Sequence, residues 1–336
     1  MRRIFVLLLA AAVLAACGKA GMRGPAVRFQ VSGDAPAVRA AFSGDLDENG
    51  VERIDWEKGD LIRILSPQAV ATDGGDGHAA DYRVDGVREE GASSFATVEP
   101  AGETGLSWGE GAHDFFAVSP APSGNGGTSL EEGVYYGDVP AAQTLDWEGP
   151  EGSPARSTVC LLAAARGIEE PRNETVTLAF RPVFTALSFT LSLEDSPSVL
   201  LRSFRLESTE GPLAGSFQAS MGEEDWTFGT NGRTTRSVSI DLDRTLERGT
   251  PVTFTVLCLP LDLSGLKGVF ETAYGTKTLT LSRKDGSPLV FPACHKARIT
   301  GLVLPGSPDI SFTVDLIPWD EDREDVEAEP ATPEND

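Results

Sequence analysis

Short runs in which apolar and polar residues alternate recur along most of the chain. They fall at Val27/Phe29/Val31, Val176/Leu178/Phe180, Leu187/Phe189/Leu191/Leu193, Val238/Ile240/Leu242, Val252/Phe254/Val256/Cys258 and Ile310/Phe312/Val314/Leu316. A period of two puts every apolar side chain on one side of an extended backbone, so each run predicts a strand with one face against a core. Between the runs lie Asn49-Gly50, Asp73-Gly74-Gly75-Asp76-Gly77, Ser123-Gly124-Asn125-Gly126-Gly127, Asn231-Gly232 and Asp285-Gly286. These residues accept the backbone angles of tight turns, and the spacing predicts an all-β chain of antiparallel sandwiches rather than a strand–helix alternation. One stretch after the N-terminus reads as a short helix, residues 157–166, stopped by Gly167.

The N-terminus follows another pattern. Met1-Arg2-Arg3 precedes 13 unbroken apolar residues, 4–16, too short to span about 30 Å of hydrocarbon and therefore expected to be a cleaved export signal. The segment closes in Leu14-Ala15-Ala16-Cys17, which resembles a bacterial lipobox, with Cys17 as the acylated first residue of the mature chain. The alternative is an ordinary small-residue cleavage site that happens to precede a cysteine. Acyl chains on Cys17 would hold the protein on a membrane by burying methylenes at about 0.8 kcal/mol each. Residues 1–16 are thus expected to be a signal peptide and residues 17–25 a lipidated linker.

With 336 residues the chain has room for two domains. The polar stretch Gly167-Ile168-Glu169-Glu170-Pro171-Arg172-Asn173 suggests a division into sandwiches at 26–167 and 168–319. Residues 320–336 hold nine acids and one base and read as a solvated, disordered tail. A composition of 40% apolar and 24% charged residues excludes wholesale disorder, collagen and coiled coil. The 28 bases against 51 acids give −23, and −25 once Arg2 and Arg3 leave with the signal, so nucleic acid is excluded as a partner.

Candidate chemistry is sparse. His78, His113 and His295 have no metal-ligand spacing to another His or Cys. The sequence has no nucleophile elbow, phosphate loop or dinucleotide fingerprint, so no catalytic residue and no cofactor are expected. Besides Cys17, Cys160, Cys258 and Cys294 remain, an odd number that argues against a disulfide scaffold. Cys258 alternates with apolar neighbours and reads as a small buried hydrophobe, with a Cys258–Cys294 bridge as the alternative. Asp45, Asp47 and Asn49 followed by Gly50 resemble the first half of a calcium loop, but Glu52 and Trp56 stand where an apolar residue and a bidentate Glu belong. The competing reading is an acidic hairpin turned at Asn49-Gly50. Trp56, Trp108, Trp147, Trp226 and Trp319 are dispersed and suit packing better than a sugar-stacking platform.

Several motifs resemble the fimbrillin-like lipoproteins of Bacteroidales. Trp56-Glu57-Lys58-Gly59-Asp60 leads into a strand at Leu61, Asp114-Phe115-Phe116-Ala117-Val118-Ser119-Pro120 is an aromatic strand ending in proline, and Val139-Pro140-Ala141-Ala142-Gln143-Thr144 is similar to a Pro-x-x-Gln turn. Paired strands follow around Leu178 to Phe189, then an Ala-Gly turn at Leu213-Ala214-Gly215-Ser216-Phe217, a strand from Lys296 to Pro305, and a closing strand ending Ile317-Pro318-Trp319. The motifs occur in the family's order behind the lipobox and cover residues 27–319.

The resemblance implies two transthyretin-like sandwiches in a pilus subunit exported as a lipoprotein precursor. It implies an outer-membrane, lipid-anchored location or a place in a fimbrium on the cell surface, with other fimbrial subunits as partners and a host or bacterial surface ligand for an adhesive tip. In the family an arginine-specific protease can remove an N-terminal strand, which opens a groove that the next subunit fills by strand addition. Arg23, Arg28 and Arg39 are the processing candidates here. The donor candidate is Ile310, Phe312, Val314 and Leu316, whose burial would contribute on the order of 6–12 kcal/mol gross. The alternative is that this segment is the chain's own last strand. A separate functional alternative is a surface glycan-binding lipoprotein using exposed tryptophans and the loop at 73–78.

Overall fold

The computed structural model describes residues 25–32, 38–46, 52–54, 56–70, 78–90, 93–122, 129–169, 175–193, 198–223, 225–282, 287–303 and 310–317. The chain begins with β1 (Phe29–Ser32), β2 (Val38–Leu46), β3 (Glu52–Ile54), β4 (Leu61–Leu65), β5 (Ala79–Glu90), β6 (Ser93–Pro100) and β7 (His113–Ser119). Five short strands follow: β8 (Ser129–Glu131), β9 (Val134–Val139), β10 (Ala142–Gln143), β11 (Leu145–Glu148) and β12 (Glu151–Pro154). Next come β13 (Leu161–Ile168), β14 (Val176–Ala179), β15 (Arg181–Pro182), β16 (Thr185–Leu193), β17 (Ser198–Ser208) and β18 (Ala214–Met221). The last are β19 (Trp226–Thr235), β20 (Ser237–Glu247), β21 (Val252–Cys258), β22 (Leu266–Thr272), β23 (Gly275–Thr280), β24 (Lys296–Val303) and β25 (Ser311–Ile317). The fold is all-β.

An eight-stranded sheet has the order β14-β1-β6-β5-β4-β7-β13-β15. Its core holds Phe29, Ile62, Ile64, Tyr82, Phe115, Leu178 and Phe180, with the Phe29 ring meeting Tyr82 and Phe115 edge-on at 5.1 Å each. A six-stranded sheet, β11-β12-β21-β16-β24-β25, faces a five-stranded one, β10-β20-β17-β22-β23. Phe189 and Phe254 from the first meet Phe204 and Phe270 from the second, with Phe189–Phe204 at 4.8 Å and Phe204–Phe254 at 5.1 Å. Each such ring, wholly buried, is worth about 1.5–3 kcal/mol of transfer free energy. A four-stranded sheet, β19-β18-β9-β8, and the separate pair β2-β3 complete the topology.

The alternating runs behave as their period predicts: Val27, Phe29 and Val31 are buried, as are Leu187, Phe189, Leu191 and Leu193, and Val238, Ile240 and Leu242. Four expectations are corrected. Residues 157–166 form no α-helix; a 3-10 turn at Arg156–Thr158 leads into β13, which pairs antiparallel with β7 from Leu161↔Ser119 onward. Leu161 and Ala163 enter one core and Leu162 the other, so both faces are apolar, the alternation disappears, and sheet pairing overrides the helix propensity of alanine. Asn231-Gly232 is no hairpin turn but lies inside β19 opposite the irregular register at Gly215/Phe217. The sheets are mixed rather than purely antiparallel, because β1·β14, β10·β20, β12·β21 and β16·β24 pair parallel.

The fourth concerns the division at 167/168. Strands β9, β10 and β12 pair with β18, β20 and β21, and β14 with β1, so hydrogen bonding crosses the expected boundary in both directions. Alternation on a shared strand explains it physically. Phe115 and Ala117 of β7 point into one core and Phe116 and Val118 into the other. Cys17, the segment 320–336 and Trp319 lie outside the described residues.

Candidate functional site

The N-terminal strand occupies an internal position of the eight-stranded sheet. On one edge β1 runs antiparallel to β6, with Gln30↔Thr97 and Ser32↔Phe95; on the other it runs parallel to β14, with Phe29↔Val176 and Ser32↔Ala179. The Val176 N–H donates to the Arg28 carbonyl at 2.9 Å, the Phe180 N–H to the Ser32 carbonyl at 3.0 Å, and Gln30 Nε2 to Thr177 Oγ1 at 2.7 Å. The residues before the strand are also fixed: Val27 N–H donates to the Leu106 carbonyl at 2.9 Å and Trp108 N–H to the Pro25 carbonyl at 3.0 Å. Tyr82 lines the same core; its hydroxyl accepts the Leu106 N–H at 2.7 Å, and burial pushes its pKa up to about 12 against the opposing pull of that bond.

Of the processing candidates, Arg23 lies outside the described residues. Arg28 is exposed, but its carbonyl belongs to the sheet and its C-terminal neighbour begins β1. Arg39 stands in β2, which among the described residues pairs with β3 alone, in an irregular register at Val38, Phe42 and Leu46. Between β1 and β2 lie only residues 33–37.

The donor candidate is folded back in cis as β25, at the edge of the six-stranded sheet, antiparallel to β24 from Lys296↔Ile317 to Leu302↔Ser311. Ile310 is buried and its N–H donates to the Thr278 carbonyl of β23 at 2.9 Å. It therefore also ties the edge of the five-stranded sheet to β25. Phe312 and Val314 pack half-buried on the same core, and the Leu316 side chain lies outside the described residues.

Other sequence candidates disperse. Trp56 and Trp108 are buried. Trp147 and Trp226 are half-buried under arginines, with the Arg244 guanidinium 4.3 Å and that of Arg181 3.4 Å from their ring centroids. Four tryptophans thus share no common platform. Asp47 and Asn49 lie outside the described residues, as does the side chain of Asp45 in β2. His113 is buried, accepts the Gly109 N–H at Nε2 at 2.9 Å and, through Nδ1–H, donates to the Gly111 carbonyl at 2.9 Å. It is a structural imidazole stacked on Phe115.

No disulfide joins Cys258 to Cys294, and Cys258 is the buried hydrophobe its alternation predicts. Burial raises the Cys258 thiol well above its ordinary range and that of Cys160 up to about 12, opposed in Cys160 by a hydrogen bond from Tyr135. Neither is poised as a nucleophile. Sequence reasoning gave no role to Gln143 beyond its turn motif. Its amide is buried against β21, with Nε2 donating to the Leu257 carbonyl at 2.7 Å and Oε1 accepting the Leu257 N–H at 3.0 Å.

No family model matches the chain, and no curated protein matches it. Its backbone is similar to a solved structure described as a candidate cell adhesion protein from Bacteroides uniformis, at 13% identity and a TM-score of 0.54 over 87% of this chain and 97% of that one. A second, from Bacteroides ovatus and described in the same words, has 15% identity and a TM-score of 0.52 over 88% and 98%. The tip fimbrial protein Mfa3 from Porphyromonas gingivalis is more distant, at 10% identity and a TM-score of 0.45 over 88% and 100%. Over nearly its whole length the chain has the fold of the two Bacteroides structures.

Proposed function

We propose that this chain is a structural and adhesive subunit of a cell-surface fimbria, exported as a lipoprotein precursor acylated at Cys17 and held at the outer membrane until it is processed. It acts by assembly rather than by chemistry on a substrate. The motif series of the sequence and a fold shared with cell-adhesion proteins support the class of function.

The observation that carries the assembly step is the placement of β1. It is held by main-chain bonds on both edges and by Phe29 and Val31 in the core, and is joined onward through residues 33–37 to β2, which among the described residues pairs with β3 and not with the eight-stranded sheet. Cleavage after Arg23 or Arg28 would leave β1 covalently attached to the rest. Cleavage after Arg39 would leave it held by non-covalent contacts alone. Its loss would bare β6 and β14 and the pockets around Tyr82 and Phe115, a slot of the kind filled by strand addition. The segment from Ile310 to Leu316, already at a sheet edge, is the donor from a neighbouring subunit.

The test is limited digestion of the full-length precursor with an arginine-specific protease. The native sequence is expected to yield SDS-resistant ladders, and Arg39→Ala to remain monomeric. Protein whose N-terminus has been shown to begin at Ala40 and which still stays monomeric would refute the assembly step.

A further inference from the structure

The two ends of β1 are held differently. At its N-terminal end Pro25 and Val27 are bonded to Trp108 and Leu106, and in the middle Gln30 is bonded to Thr177. At its C-terminal end Ser32 is wholly buried and its Oγ has no hydrogen-bond partner among the described residues. The buried indole Nε1 of Trp56 has none either. Both residues flank Phe180, whose N–H donates to the Ser32 carbonyl at 3.0 Å and whose ring meets Trp56 edge-on at 5.1 Å. A buried polar atom without a partner opposes the packing around it, whereas an apolar group of the same shape does not.

We propose that the unpartnered Ser32 hydroxyl, together with the Trp56 indole, loosens the C-terminal end of β1, so that the strand leaves its slot from the Ser32 end and an incoming strand enters there, beside Phe180. This rests on the reading of β1 as a replaceable strand. The directionality fits the connectivity: a cut after Arg39 puts the new free end seven residues beyond Ser32, whereas the Pro25 end stays pinned. Ser32 is a positioning residue for release, acting through how tightly its strand is held.

The experiment compares the full-length native protein with Ser32→Ala and Trp56→Phe by hydrogen exchange of β1 amides. Amides at Val31 and Ser32 are expected to exchange about tenfold more slowly in Ser32→Ala, with smaller slowing in Trp56→Phe and none at Val27. Unchanged exchange in both variants overturns the proposal. After cutting at Arg39, release of the N-terminal fragment is expected to slow by a similar factor in Ser32→Ala. Slower exchange with an unaltered release rate overturns the role in release. A native fragment that never leaves refutes the replaceable-strand reading itself, whatever the exchange shows.

Discussion

The side-chain amide of Gln143 satisfies both main-chain groups of Leu257, donating to its carbonyl at 2.7 Å and accepting its N–H at 3.0 Å, while also donating to the Pro140 carbonyl at 3.2 Å. Strand β21 is paired with β16 along its length but with β12 only at Thr253 and Phe254. Beyond Phe254 the side chain does there what a neighbouring backbone would do. Gln143→Met keeps the volume and removes both bonds, so each Leu257 group left unpaired is expected to cost about 1–3 kcal/mol. Urea unfolding of the two proteins measures the loss. Equal midpoints would mean that these bonds contribute nothing net.

Two glycines that look alike in sequence should differ in cost. Gly215 and Gly232 both have positive φ, 120° and 117°, and both lie at the irregular register between β18 and β19, Gly215 opposite Thr234 and Gly232 beside Ser216. A Cβ on Gly215 would collide with the Arg233 carbonyl, backbone that cannot swing away, whereas one on Gly232 would meet only Ser216 at 3.7 Å. Gly232→Ala is expected to cost about 1–3 kcal/mol from backbone strain alone, and Gly215→Ala more than that. Thermal unfolding of both variants gives the order.

Arg166 fastens β13 to other elements. Its Nη1 donates to Asp114 at 3.2 Å, its Nη2 to the Met221 carbonyl, and its guanidinium lies 4.7 Å from the Phe116 centroid. Arg63 makes a cleaner pair with Asp81, two bonds of 2.7 and 2.9 Å, but reaches nothing else in the described residues. A partly exposed pair of the second kind is worth about 0.2–1 kcal/mol, while charge-assisted bonds that also satisfy a main-chain carbonyl are worth about 1.5–3 kcal/mol. Arg166→Met is therefore expected to destabilise more than Arg63→Met in the same urea assay, despite the poorer geometry of its carboxylate contact.

Stability should fall at alkaline pH. Burial raises the folded-state pKa of Cys160 and Tyr82 to about 12 each and raises those of Cys258 and Tyr135 further. Between the unfolded value and the folded one, the unfolded chain has lost the proton that the folded chain keeps, so folding weakens as pH rises. Each thiol adds a slope of about −1.4 kcal/mol per pH unit above about pH 8.5, and each tyrosine does so above about pH 10. Urea midpoints at pH 7, 9 and 10 are expected to decline, and Cys258→Ala to flatten the decline above pH 8.5. A flat profile in the native protein would contradict the burial of these groups.

The strands that read correctly from sequence are those with one face in a core. Leu187, Phe189, Leu191 and Leu193 alternate because the other face of β16 meets a different environment, and that contrast is written in the residues themselves. The segment at 157–166 misread as helix failed for the opposite reason: Leu161, Leu162 and Ala163 are buried on both sides of β13, and no periodicity survives when every position is apolar. Asn231-Gly232 carries a turn composition, yet the bulge it serves depends on Gly215, sixteen residues earlier.

By itself the sequence determined the all-β class, the apolar faces and the absence of a recognisable catalytic motif, because these follow from local periodicity and residue chemistry. Tertiary structure alone decided that β7 and β13 serve two cores, that β9 to β12 cross to the later strands, and that β1 sits inside a sheet between β6 and a parallel β14. Those facts depend on pairings between residues up to about 150 positions apart, such as Phe29 with Val176. Main-chain hydrogen bonds are the same for every residue type, so the partner of a strand leaves little trace in its own side chains.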